Sequence, residues 1–187
     1  MAKTINFCGD SFCADLQPSA WTSILANLLG YNILGGGKAG SAHEHAIQSF
    51  DKAADITVFC WTDANRVYHP TYLVNSGTAK LQKKKNPFYA AAYAYYYYVH
   101  DWQHSKVRQM RELYWFDHEV LSQYSGNIVH CWCFDNTYDW THGIVYDDIF
   151  CEGNDPHLDS KRINHFTIEE NKILADKMYN FIRRTYG

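Results

Sequence analysis

The sequence predicts an α/β protein, a five-stranded parallel sheet with helices on both faces. Three observations predict it. Short apolar runs alternate along the chain with segments of helical spacing. The middle run, DITVFCW at 55–61, is apolar without alternation, as expected for a strand covered on both faces. Polar or glycine-rich breaks follow several runs directly, where the turns at the carboxyl ends of such strands fall.

Taken in order, Ile5–Cys8 reads as the first strand and stops at Gly9-Asp10-Ser11. Trp21, Ile24, Leu25, Leu28 and Leu29 recur at helical spacing, and Gly30 follows as a stop. Tyr31–Leu34 is a short strand, followed by the loop Gly35-Gly36-Gly37-Lys38-Ala39-Gly40. Ser41-Ala42-His43-Glu44 has the pattern of a capping box and opens a helix expected to reach about Lys52. Asp55–Trp61 is the third strand. Asn86-Pro87 opens a long helical stretch expected over about 86–124. Asn127–Phe134 and Gly143–Phe150 are the fourth and fifth strands. Thr167-Ile168-Glu169-Glu170 is a second capping box, and Leu174, Met178, Phe181 and Ile182 give the last helix an apolar face.

At 187 residues the chain suits a single domain, 1–187, with a sizeable core. The formal charge is −3, and Lys83-Lys84-Lys85 is its only basic run, so no nucleic-acid partner is expected. The N-terminal MAKTINFCGD has no long apolar stretch behind a basic one, and no window approaches the ~18 apolar residues of a membrane helix. A cytoplasmic protein without a membrane partner is expected. Cys8, Cys60, Cys131 and Cys133 lie inside strand-like runs, where a thiol serves as a small hydrophobe. Neither a zinc-type ligand spacing nor a cofactor motif stands out. The Gly35–Gly40 loop lacks the Gly-Lys-Ser/Thr ending of a phosphate loop. His43 and His45, two residues apart at a helix start, diverge and read as surface residues, with a substrate contact open to His43.

Four separated stretches are aimed at the carboxyl edge of the sheet: Gly9-Asp10-Ser11, the glycine-rich loop, Trp61-Thr62-Asp63, and Asn164-His165 before the last helix. Their order and spacing resemble the SGNH, or GDSL-type, hydrolases. Gly9-Asp10-Ser11-Phe12 resembles the first block of that family, Gly40 the glycine of the second, DITVFCWTD the third, and NHFTIEENKILADKM the last. The resemblance implies a three-layer α/β/α sandwich of flavodoxin-like type and an esterase activity, with Ser11 as nucleophile and His165 as base. Two positions depart from the pattern. Thr62 stands where the family has its oxyanion-hole asparagine, with Asn65 three residues on. Arg162 stands where the family has its acid, three residues before the histidine.

The chemistry asks for these residue types independently. A serine hydroxyl needs an adjacent base, and an imidazole can take its proton and return it to the leaving group. The oxyanion needs fixed donors, for which the Ser11 and Gly40 N–H groups and a side chain from Thr62 or Asn65 are candidates. Gly9 eases a tight exit from the strand, and Asp10 can anchor that turn on backbone amides. For the third member, Asp159 is the first choice, Asp155 the second and a backbone carbonyl the third, with Arg162 expected to point away. His157 is a rival base without a following helix, and Gly153-Asn154-Asp155 reads as a loop turn.

In FYAAAYAYYYYVHDW, 88–102, Tyr89, Tyr93, Tyr96 and Tyr97 share one helical face. That face is expected to pack on the sheet or a neighbouring helix. Two functional uses stay open: self-association of the chain, or an aromatic wall for a sugar or acyl group. The expected activity is removal of a small acyl group from a small-molecule or glycan ester. The alternative is a non-catalytic binding or structural protein on the same fold.

Overall fold

The computed structural model describes residues 2–147, 149 and 163–187. Strands β1 (Thr4–Gly9), β2 (Asn32–Gly35), β3 (Ile56–Trp61), β4 (Asn127–Trp132) and β5 (Ile144–Tyr146) form one all-parallel sheet in the order β2-β1-β3-β4-β5. β3, the run without alternation, is buried at all six positions and pairs on both edges.

The sheet's two faces bury different clusters. On one, Phe7, Val58 and Cys131 pack with Trp21 and Leu25 of α1 (Trp21–Leu29) and with Leu174, Met178 and Ile182 of α6 (Ile168–Tyr186). On the other, Cys8, Phe59, Trp61 and Trp132 pack with Ala46 of α2 (His43–Gln48), with Leu113 of α5 (Trp102–Trp115), and with Phe116 and Leu121 beyond it. This is the expected three-layer arrangement. The crossovers change face between β1 and β3, which makes their carboxyl ends the switch point of the sheet. Cys8, Cys60, Cys131 and Cys133 are all buried in these clusters as free thiols, and burial pushes Cys60 up to about 11.

Local signals set most helix ends. Gly30, at φ 70°, closes α1 with its N–H on the carbonyls of Ala26 and Asn27. At α6 both bonds of the Thr167–Glu170 capping box are made. The Ser41 box is not. Ala42 is the N-cap of α2, the Ser41 hydroxyl instead donates to Gly9 O at 3.1 Å, and α2 ends at Gln48 rather than Lys52. The stretch expected over 86–124 divides into α4 (Pro87–Tyr98), α5, one π turn (Phe116–Val120) and one 3₁₀ turn (Leu121–Gln123). Asp101 caps α5 by accepting the His104 N–H at 2.6 Å. An additional helix, α3 (Ser76–Gln82), is capped by Asn75. β5 ends at Tyr146, short of the expected Phe150, which lies outside the described residues.

Of the two placements expected for the tyrosine-rich helix, the structure shows the neighbouring helix and not the sheet. α4 lies against α3, none of its residues is buried, and Tyr97 and Tyr98 are 68% and 79% exposed. Its anchor is Tyr96, whose hydroxyl lies 2.8 Å from Asn65 O and 2.9 Å from Val74 O. No helix among the described residues is long and apolar enough to cross a membrane.

His130 of β4 is a fully buried titratable group. Its Nδ1 accepts the Trp61 indole N–H at 3.0 Å, its Nε2 donates to His142 O at 2.9 Å, and Trp140 stacks on it at 3.7 Å. Burial pushes its pKa down to about 3, so the folded form holds it neutral.

Two measurements follow. Below the unfolded-state pKa of about 6.5 the unfolded chain takes up a proton at His130 that the folded chain refuses. Stability should therefore fall from about pH 6.5 toward pH 3, with a contribution near 1.4 kcal/mol per pH unit from this residue. Urea titrations of wild type and His130→Gln between pH 7 and 4.5 should show the shallower slope in the variant; equal slopes would refute the assignment. Separately, Tyr96→Phe should cost about 1 kcal/mol, and Tyr98→Ser less than about 0.5 kcal/mol. The reverse ranking in thermal melts would contradict the assigned anchor.

Candidate active site

β1 ends at Gly9, where an added Cβ would lie 2.3 Å from Cys60 O on the neighbouring strand. Only glycine lets the chain turn out of the sheet so close to β3. The next residue, Asp10, is a carboxylate with 0% exposure. Its Oδ1 accepts the Phe12 N–H at 3.1 Å, and its Oδ2 accepts the Thr62 hydroxyl at 2.9 Å and the Arg66 guanidinium at 3.0 Å. Burial pushes the Asp10 pKa up, and Arg66, the Phe12 amide and Thr62 oppose that shift. The Asp10 turn presents Ser11, half-buried, at the sheet edge.

The imidazole arrives from the far end of the chain. Ile163 and Phe166 exchange both backbone hydrogen bonds, at 2.8 and 2.9 Å, around a two-residue turn. Its central residues, Asn164 and His165, have φ of 51° and 72°. This pairing of positive φ values at both central positions is that of a type I′ hairpin turn. The turn places His165 Nε2 2.6 Å from Ser11 Oγ, across 154 residues of sequence. The Phe12 ring stacks on the imidazole at 4.5 Å.

The glycine-rich loop lies against the Ser11 turn. Lys38 N–H donates to Gly9 O at 2.9 Å and Gly37 N–H to Cys13 O at 3.0 Å. A Cβ on Gly37 would lie 2.5 Å from Asp10 O, so this loop too is glycine because backbone meets backbone. Gly40 lies beyond that contact, against Leu73. Among the described residues neither the Ser11 nor the Gly40 N–H donates to a protein acceptor.

Of the two side chains expected as oxyanion donors, Thr62 has spent its only proton and Asn65 one of its two N–H groups. The Thr62 hydroxyl donates to Asp10, and the Asn65 amide donates to Asp63 Oδ1 at 2.8 Å. Asp159, Asp155, Arg162, His157 and the Gly153-Asn154 turn lie outside the described residues. His43, read from sequence as a surface residue, is fully buried and contacts Glu112 at 2.6 Å. His43, Glu44 and Glu112 bring ligand-type atoms within 4.8 Å of one another. His43 Nε2 and Glu112 Oε2 are already in direct contact at 2.6 Å, and Arg108 brings a cation to 3.8 Å from Glu44.

Arg66 is the residue the sequence reading passed over. Its Nη1 bonds Asp10 and Ser41 O, and its guanidinium lies 5.1 Å from the centroid of the Phe134 ring. Phe134 in turn packs edge-on against Phe12 at 5.9 Å. Beside it Asp63, Ala64, Trp102, Phe134, Asp135 and Thr137 line a cavity of about 140 Å³. The pairing follows from the burial of Asp10, which only the folded structure shows, since a buried carboxylate calls for a cation. Removing Arg66 leaves that carboxylate buried and unpaired, so Arg66→Met should destabilise the fold by about 3–5 kcal/mol. Adding Asp10→Asn to it should recover part of the loss in urea denaturation; strictly additive effects would count against the pairing.

No protein-family model matches the chain, and no curated protein matches it in sequence. Among solved structures it is similar to a carbohydrate esterase whose active site is described as displaying divergent catalytic and non-catalytic binding functions. The two agree with a TM-score of 0.46 at 11% identity, over 99% of this chain and 66% of that one, so the chain spans just under two thirds of that structure's length.

Proposed function

We propose that the chain is a serine ester hydrolase that removes a small acyl group from a small-molecule or carbohydrate ester. One observation carries this reading: the 2.6 Å contact between Ser11 Oγ and His165 Nε2 at the switch point of a parallel sheet. In this mechanism His165 Nε2 takes the Ser11 proton as Oγ attacks the ester carbonyl carbon. The tetrahedral oxyanion is held by the free N–H groups of Ser11 and Gly40. The C–O bond to the alcohol then breaks, and the imidazolium returns the proton to the departing oxygen. Water repeats the sequence on the acyl-serine, releases the acid and restores Ser11.

An acid holds the imidazole tautomer and stabilises the imidazolium, with Asp159 assigned first and Asp155 second. A backbone carbonyl in their place would leave a dyad. A second reading, a non-catalytic binding protein on this fold, is favoured by Thr62, which stands at the asparagine position and spends its one hydroxyl proton on Asp10.

A fluorophosphonate probe and short-chain nitrophenyl esters separate the readings. Wild type should label and turn over, and Ser11→Ala should abolish both while its melting temperature stays within a few degrees. A wild type that neither labels nor hydrolyses supports the binding protein, and an unchanged rate in Ser11→Ala removes Ser11 from the chemistry. Among the acids, Asp159→Asn should lower the rate by roughly 10⁴-fold, as loss of a triad carboxylate does elsewhere. Wild-type rates in both Asp159→Asn and Asp155→Asn would leave the dyad.

A further inference from the structure

A side-chain amide fastens the turn that carries His165 to the segment following Ser11. Asn164 Oδ1 accepts the Asp15 N–H at 2.7 Å, and Asn164 Nδ2 donates to Asp15 O at 3.0 Å. Both backbone polar groups of one residue are thus taken by one carboxamide, as a neighbouring strand would take them. Asn164 is 6% exposed, so water does not compete for the pair. Asp15 lies four residues after Ser11, and Asn164 immediately precedes His165. The connections close a small ring, from Ser11 along the chain to Asp15, across the amide to Asn164, and through His165 Nε2 back to Ser11 Oγ.

The flanks of the turn are held separately. Asn171 of α6, 0% exposed, accepts the Trp21 N–H at 2.8 Å. Its Nδ2 lies 3.1 Å from Ile163 O, 3.1 Å from Phe166 O and 2.9 Å from Thr167 O. Trp21 in turn donates its indole N–H to Phe12 O at 2.7 Å. Asn171 therefore ties the turn to the helical layer and reaches Phe12 only through Trp21, whereas Asn164 binds the nucleophile's own loop directly. Asn164 also meets the backbone demand, since asparagine tolerates the left-handed region that position requires.

We propose that Asn164 is a positioning residue, whose carboxamide clamp on Asp15 sets the separation of Ser11 Oγ and His165 Nε2. This rests on the reading of Ser11 and His165 as nucleophile and base. Two variants isolate the clamp. Asn164→Gly keeps the left-handed backbone and removes the amide. Asn164→Asp keeps an acceptor for the Asp15 N–H but places a carboxylate against Asp15 O.

The readouts are the fluorophosphonate labelling rate, kcat and KM on a nitrophenyl acetate, the exchange rate of the Asp15 amide proton, and the ring proton resonances of His165. Asn164→Gly should fold, exchange the Asp15 amide at least about 10-fold faster, and label and turn over roughly 10–100-fold more slowly with KM within about 2-fold. Its His165 resonances should move. Asn164→Asp should fall between it and wild type, and it serves as the test protein if Asn164→Gly does not fold. Wild-type labelling with unmoved His165 resonances in a folded variant overturns the clamp. If wild type itself does not label, the hydrolase reading has failed; His165 resonances that move still support the clamp, and resonances that stay overturn it.

Discussion

A carboxylate with no access to water sits at the end of the first strand, and the neighbourhood is organised by its need for partners. Asp10 is satisfied by its own turn through Phe12, by the end of β3 through Thr62, and by the loop beyond through Arg66. Burying that charge alone would be prohibitive, so these three contacts form together. Arg66 passes the constraint on, because the same guanidinium nitrogen binds Ser41 O while Ser41 Oγ returns to Gly9 O. β1, β3 and the loop before α2 are thereby fixed around the residue that precedes Ser11.

The sheet explains why the partners are within reach. In the order β2-β1-β3-β4-β5 the crossovers change face between β1 and β3, and the two strands release their chains side by side. Gly9 pairs with Cys60, so Asp10 and Thr62 emerge nearly level. The turn before α6 reaches the same edge because α6 packs along α1 behind the sheet, with Asn171 and Trp21 joined. A serine and a histidine 154 residues apart meet because both layers end at one edge.

The aromatic excess of the chain has two physical destinations. Phe59, Trp61, His130 and Trp140 stack within the sheet–helix core, with Phe59 on Trp61 at 4.9 Å and Trp61 on Trp140 at 4.9 Å. The tyrosines of α4 do not enter a core. They stack on one another, as Tyr93 does on Tyr97, and Lys83 caps the Tyr93 ring at 3.6 Å. Rings with polar edges can remain half in water, which lets a helix without a buried residue stay attached through α3 and the Tyr96 hydroxyl.

The fold was legible in the sequence because its signals are local. Short apolar runs and period-3.6 spacing record which segments are covered, so the five strands, α1 and α6 stand in the sequence, and so does the Thr167 capping box. The positions of Ser11 and His165 were legible for the same reason, each beside an element end, whereas their meeting in space was not. Where a residue's partner lies far along the chain, the local pattern failed. Ser41 looks like a cap, but its hydroxyl goes to Gly9. Asp101 breaks the long helix with no glycine or proline to announce it. Arg66 has no periodic signal that points to Asp10. Asn164-His165 lacks the glycine of the usual two-residue hairpin, so its left-handed backbone was not readable. Hydrogen bonds and ion pairs between distant segments depend on which chains the sheet brings side by side, and only the assembled tertiary structure decides that.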